Sequence, residues 1–104
     1  MGRVKLMISY EIDPSKREEY LAVIRELKIL LNFDSLEDYS VYEVRGKSNH
    51  FEEIYTYKSE EAFENSDDEE NERISILINK LSTLTNGNST KYSTLFEVNS
   101  SKTN

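Results

Sequence analysis

The stretch Val4-Lys5-Leu6-Met7-Ile8-Ser9-Tyr10-Glu11-Ile12 places Val4, Leu6, Ile8, Tyr10 and Ile12 at every second position. Side chains of a strand point alternately to its two faces, so this period predicts a strand with one fully buried face. Lys5, Met7, Ser9 and Glu11 share the other face. Asp13-Pro14-Ser15 then ends the strand. Proline suits a turn or the first helical residue, and Asp13 or Ser15 can cap unpaired amides. From Lys16 to Leu31 the period becomes helical. At about 100° per residue, Tyr20, Leu21, Val23, Ile24, Leu27, Leu30 and Leu31 share one broad face, with Glu18, Arg25 and Glu26 opposite. This is an amphipathic helix resting on a sheet. Ile29 falls on its polar side, as isolated exposed apolar residues often do.

Beyond the loop from Asn32 to Glu37, the residues Asp38 to Arg45 read as a second strand and His50 to Tyr57 as a third. Gly46-Lys47-Ser48-Asn49 between them is a hairpin turn, with Gly and Asn as the residues that tolerate positive φ. Both strands carry apolar residues on both faces: Tyr39 and Val41 against Tyr42 and Val44, then Phe51, Tyr55 and Tyr57 against Ile54. A sheet with helices on one side alternates more cleanly than this. Something therefore covers the second face, and a second copy of the chain is the simplest candidate.

Ser59-Glu60-Glu61-Ala62 opens another helix with a capping signature. The acidic run Asp67-Asp68-Glu69-Glu70 marks a kink or restart, after which Ile74, Leu77, Ile78, Leu81 and Leu84 form a further helical stripe. Asn86-Gly87-Asn88 is a turn, Lys91 to Val98 the last strand, and Asn99 to Asn104 a polar tail expected to be disordered. The order is β-α-β-β-α-β over residues 1–98. The expected fold class is α+β, a ferredoxin-like four-stranded antiparallel sheet with both helices on one face.

A chain of 104 residues is one domain by its size, with a modest core. Its 20 acidic against 13 basic residues give a net charge of −7, and no basic cluster exceeds Lys16-Arg17. Nucleic acid and anionic membrane both require concentrated positive charge, so neither is expected as a partner. No cysteine is present, which excludes disulfides, cysteine-based metal sites and a cysteine nucleophile. The N-terminus runs straight into strand-like alternation without an apolar signal core, and no apolar run approaches a bilayer span. A soluble cytoplasmic protein is the expectation.

The segment Phe51-Glu52-Glu53-Ile54-Tyr55-Thr56-Tyr57-Lys58-Ser59-Glu60-Glu61-Ala62-Phe63 resembles the dimeric α/β-barrel superfamily, especially its antibiotic-biosynthesis-monooxygenase-like proteins. In that group a third strand ends in an aromatic residue, followed by a charged residue, Ser, two polar residues, Ala and a large apolar residue. The closing Tyr92-Ser93-Thr94-Leu95-Phe96-Glu97-Val98 is similar to the group's last strand. The resemblance implies dimers whose sheets pack face to face, each subunit holding a pocket between its helices and sheet. Some members oxidise polyphenols without a cofactor, some degrade haem, and others isomerise small molecules or have no assigned activity. The haem-degrading branch uses Asn, Trp and His where an ungapped match places Ile8, Ser66 and Ile76. Isoleucine cannot serve as an axial ligand, so haem degradation is not expected.

No catalytic constellation is legible. His50 is the only histidine and would need a carboxylate such as Glu52 or Glu43 to act as a base; its place beside the turn suggests solvent exposure. The acidic run lacks the alternate spacing and Gly turn of a calcium loop, and acids at a helix start favour its dipole, so no metal site is expected. Gly-x-Ser-x-Gly and phosphate-binding Gly loops are absent, and Asn88-Ser89-Thr90 has no relevance as a glycosylation acceptor without secretion. Seven tyrosines remain. Tyr10, Tyr20, Tyr57, Phe63 and Phe96 are the candidate lining of a small-molecule pocket between helices and sheet. The associated activity, if any, is monooxygenase-like or isomerase-like and needs no cofactor. The competing reading is a non-catalytic interaction module with an acidic surface. A cavity of roughly 300 Å³ or more distinguishes the two.

Overall fold

The computed structural model describes residues 2–66 and 71–98. The acidic run at 67–70 and the polar tail from Asn99 therefore lie outside the described residues. Strand β1 (Val4–Glu11) leads through a 3-10 turn at Pro14–Lys16 into helix α1 (Arg17–Leu30). Strands β2 (Leu36–Glu43) and β3 (His50–Tyr57) form a hairpin, helices α2 (Glu60–Glu64) and α3 (Glu72–Leu84) follow, and β4 (Lys91–Phe96) closes the chain. The sheet order is β2-β3-β1-β4, with every pairing antiparallel. This is the expected ferredoxin-like α+β arrangement. Among the described residues no helix is long and apolar enough to cross a membrane.

Local chemistry sets the element ends. Asp13 accepts from the Ser15 amide at the start of the 3-10 turn, Ser59 from the Ala62 amide in α2, and Asn71 from the Ile74 amide in α3. Each supplies an acceptor to an amide that has no partner within its helix. Strand β2 begins two residues earlier than expected, because a bulge between Leu36 and Asp38 carries it past Glu37. It also ends earlier, because the turn already starts at Val44, whose carbonyl accepts from the Lys47 amide.

Gly46 and Asn49 adopt φ of 83° and 63°, as the turn chemistry requires. Gly46 has open space where a Cβ would stand. Gly46→Ala therefore meets no clash and costs only the left-handed backbone, about 1 kcal/mol by the usual penalty for an L-residue there. Urea denaturation reads this directly, and an unchanged midpoint would contradict it.

The core lies between the helices and one face of the sheet. That face carries Val4, Tyr10 and Ile12 from β1 and its exit, Leu36 and Tyr39 from β2, and Phe51, Tyr55 and Tyr57 from β3. Helix α1 contributes Tyr20, Val23, Ile24 and Leu27, and α3 contributes Ile74, Leu77, Leu81 and Leu84. Ile29 is exposed, as its position on the polar side of α1 predicts. An ion pair between Arg73 and Glu26 at 2.6 Å and another between Lys80 and Glu19 at 3.0 Å tie the outer surfaces of the two helices. The opposite sheet face is mixed. Met7 and Ile54 pair at its centre, with Ser9 and Glu52 beside them in the next register position.

Candidate functional site

A cleft of about 430 Å³ opens between the sheet, α3 and the connection from α1 to β2. Leu6, Ile8, Tyr55 and Tyr57 form its floor, Leu31 and Phe33 one wall, and Ile74 and Ile78 the other. A narrower cavity of about 150 Å³ shares Ile8, Tyr55, Ile78 and Tyr92 with it and ends on Tyr10, Glu53, Ser82, Thr85 and Thr90. Tyr92 on the edge strand is 69% exposed and Ile78 43% exposed, so these two form the rim. The volume exceeds the size that separates a ligand site from a packed interior, although the cleft is open rather than sealed.

Glu53 is the residue that sequence reasoning missed. Its register partners, Ile8 on β1 and Val41 on β2, place it in one row across the helix-facing side of the sheet, with Tyr92 at the row's end. It is only 3% exposed. The Tyr39 hydroxyl donates to its Oε2 at 2.5 Å, and the Tyr10 hydroxyl bonds the same carboxyl group. Tyr10 is in turn linked to Tyr20, with the two hydroxyl oxygens 2.8 Å apart. Burial pushes the Glu53 carboxyl above the ordinary glutamate range, and the hydrogen bonds from Tyr39 and Tyr10 only partly oppose it. Burial, followed by the Glu53 charge, also pushes the hydroxyls of Tyr10, Tyr39 and Tyr55 upward, so all three stay protonated at neutral pH. Every phenol in this network can thus donate, and the carboxyl group is its common acceptor.

The expected lining residues separate into three environments. Tyr10 reaches the narrow cavity and Tyr57 the wide one. Tyr20 is fully buried behind Tyr10, its ring 4.5 Å from that of Phe51. Phe63 packs edge-on against Tyr57 at 5.3 Å and stands outside both cavities. Phe96 lies on the edge strand beside a separate charged cleft. Of the positions matched to the haem-degrading branch, Ile8 and Ser66 are on the cavity wall and Ile76 is exposed elsewhere on α3.

His50 is half-buried rather than open to solvent. Its Nε2 lies 3.0 Å from Ser9 Oγ, not against either glutamate suggested by the sequence. Glu43 is occupied by Arg17, whose guanidinium it meets at 2.8 and 2.9 Å, and by the Asn49 amide. Those contacts hold the Glu43 carboxyl down at about 2. A nucleophilic role for the Ser9–His50 pair would require a third group orienting the imidazole, and no such hydrogen bond is present among the described residues. The charged cleft, about 550 Å³, is larger than the aromatic one. Its Arg3 is already paired with Glu37 at 2.9 Å and Glu97 at 3.7 Å, in exposed ion pairs that solvent screens. No group of three or more metal-ligating side chains occurs among the described residues.

The sequence matches no protein-family model and no curated protein. Solved structures do match. A conserved protein from Methanosarcina mazei Go1 aligns at TM-score 0.76 and 16% identity over 91% of this chain and 92% of its own. An antibiotic biosynthesis monooxygenase aligns at 0.70 and 14%, over 92% and 97%. SnoaB, a cofactor-independent oxygenase from Streptomyces nogalater, aligns at 0.75 and 11%, over 95% and 96%. At such identities likeness carries the fold and not the chemistry. This chain has the ferredoxin-like α+β fold of the antibiotic-biosynthesis-monooxygenase-like proteins.

Proposed function

We propose that this chain binds a small aromatic molecule in the cleft between α3 and the sheet, with Glu53 accepting that molecule's proton. The observation that carries the reading is a carboxyl group 3% exposed at the end of a tyrosine-lined cavity. Burying a carboxylate costs several kcal/mol unless it is compensated, so a structural residue at this position would ordinarily be apolar. A buried acid with a raised pKa inside a cleft has instead the character of a proton-transfer group. The apolar and aromatic walls supply affinity through area removed from water.

The finer reading is oxidation of the bound aromatic by dioxygen without a cofactor. It is supported by the same fold in SnoaB, a cofactor-independent oxygenase. A hydroxyarene that gives its O–H proton to Glu53 becomes an electron-rich phenoxide. Dioxygen then adds at a ring carbon that bears hydrogen. The O–O bond breaks as that C–H proton passes to the departing oxygen, leaving one oxygen on carbon as a carbonyl and the other to leave as water. Glu53 returns its proton to that water. A homodimer is part of the proposal: Tyr42 and Leu95, both exposed, flank Met7 and Ile54 on the mixed sheet face, where a second copy would cover them.

Native mass spectrometry with added naphthol tests binding and subunit count together, and dioxygen uptake tests oxidation. One naphthol per chain is expected on a dimer. Ile78→Trp adds bulk at a rim residue shared by both cavities and half open to solvent, so the fold tolerates it. Retention should fall by about tenfold, the equivalent of losing 1.4 kcal/mol of contact. Naphthol bound equally by this variant would remove the cleft from consideration, and no retention by the wild type would favour the interaction-module reading.

A further inference from the structure

The two cavities differ in hydrogen-bonding character. The wide one is walled by Leu6, Leu31, Phe33, Ile74 and tyrosine rings. The narrow one sets a carboxyl group and two hydroxyls whose protons are already spent beside the phenols of Tyr10, Tyr55 and Tyr92. Ser82 spends its hydroxyl proton on the Asn79 carbonyl at 2.6 Å, and Thr85 spends its own on the Ser82 carbonyl at 3.4 Å. A hydroxyl that has donated its proton can only accept from a ligand. Glu53 receives the Tyr39 and Tyr10 hydroxyls, which leaves lone pairs on its two oxygens unused.

The charge balance points the same way. Among the described residues, neither cavity is lined by a Lys, Arg or His, and Glu53 is the only acid on their walls. Arg17, whose guanidinium lies over the Phe51 ring, is committed to Glu43 and Asn49. Among the described residues no cation therefore faces Glu53, and none appears among the causes of its shifted titration. An uncompensated buried carboxylate is costly, and a ligand that brings a positive charge removes that cost at the moment of binding. Tyr10, Tyr55 and Tyr92 surround the same space, and aromatic rings favour cations over anions.

We infer that the pocket selects a cationic ligand, an aromatic body in the wide cavity carrying a protonated amine that donates to Glu53, Ser82 and Thr85 in the narrow one. This deepens the binding part of the proposed function and rests on the same cleft, with an ammonium N–H in place of a hydroxyarene O–H at Glu53. A primary ammonium offers three N–H donors to three acceptor side chains. A neutral alcohol offers one donor. A carboxylate offers none and meets Glu53 as a like charge.

Calorimetric titration of the wild-type protein at neutral pH with naphthylethylamine, naphthylethanol and naphthylacetate isolates the head group, because the ring system is common to all three. The amine should bind at least about tenfold more tightly than the alcohol, a difference of 1.4 kcal/mol, and the acetate should show no binding. In Glu53→Gln, which keeps the side-chain shape without the charge, amine and alcohol should bind alike. An alcohol that matches the amine in the wild type, or an acetate that surpasses both, overturns the charge selection while leaving the cleft as the site. Failure of all three ligands overturns the cleft itself. A folded Glu53→Gln protein that retains the preference overturns the assignment to Glu53, and the wild-type series decides the matter if that variant does not fold.

Discussion

Tyr20→Ala should unfold this protein at physiological temperature or bring it close to doing so. Tyr20 is fully buried, its ring 4.5 Å from Phe51 and 5.9 Å edge-on from Tyr10. Removing a buried aromatic side chain costs about 3–5 kcal/mol through lost transfer energy and the cavity left behind. The Tyr10 hydroxyl also loses one of its two partners, at 2.8 Å, and the lost buried hydrogen bond adds about 1 kcal/mol. The total, about 5 kcal/mol, compares with roughly 5–15 kcal/mol for the whole stability of a small domain. At about 4–8 °C per kcal/mol for a chain near this length, the melting temperature should fall by more than about 20 °C. Tyr20→Phe keeps the ring and loses one hydrogen bond, so it should cost only about 1 kcal/mol. The contrast between the two variants, read by thermal unfolding, separates packing from polarity. A Tyr20→Ala loss under about 2 kcal/mol would mean that Tyr20 is not the keystone between α1 and the sheet.

The fold was legible because its signals are local. Alternation in Val4–Ile12, the helical stripe ending at Leu31, Ser59 as a cap, and Gly46 with Asn49 as turn residues each depend on a few neighbouring positions. Tyr10 and Tyr57 followed from strand parity and do reach the cavities. Phe96 has the parity of Val4, its register partner, yet an edge strand leaves it exposed. Parity assigns a face but not how far a helix extends over it. The cleft depends on where α3 crosses the sheet, and no short-range pattern encodes that. Glu53, by contrast, left a readable trace. It shares the parity of Phe51, Tyr55 and Tyr57, so an acid stands in the row that must face the helices. A charged residue at a core-facing position of an otherwise aromatic strand marks a functional candidate.

That same residue should make stability fall with rising pH, the reverse of the usual behaviour of carboxylates. A free glutamate titrates at about 4.3. Glu53 titrates above this in the folded state because burial penalises its charge. The folded protein therefore binds the proton more tightly than the unfolded chain does. Its stabilising contribution is complete below about pH 4.3 and is lost as pH rises through the folded value, at up to about 1.4 kcal/mol per pH unit. The lowered carboxyls of Glu43, Asp13 and Glu26 act in the opposite sense. Their contributions are present above the ordinary carboxylate range and vanish only as pH falls below it. The interval above about pH 5 therefore belongs to Glu53 among these acids. Urea denaturation of wild type and Glu53→Gln across pH 5 to 8 isolates the effect, since any other titrating group cancels in the difference. The wild type should lose stability relative to the variant as pH rises, until the folded value is passed. A pH-independent difference would mean that the buried carboxyl pays no desolvation penalty, and the case for Glu53 as a proton-accepting group in the cleft would fall with it.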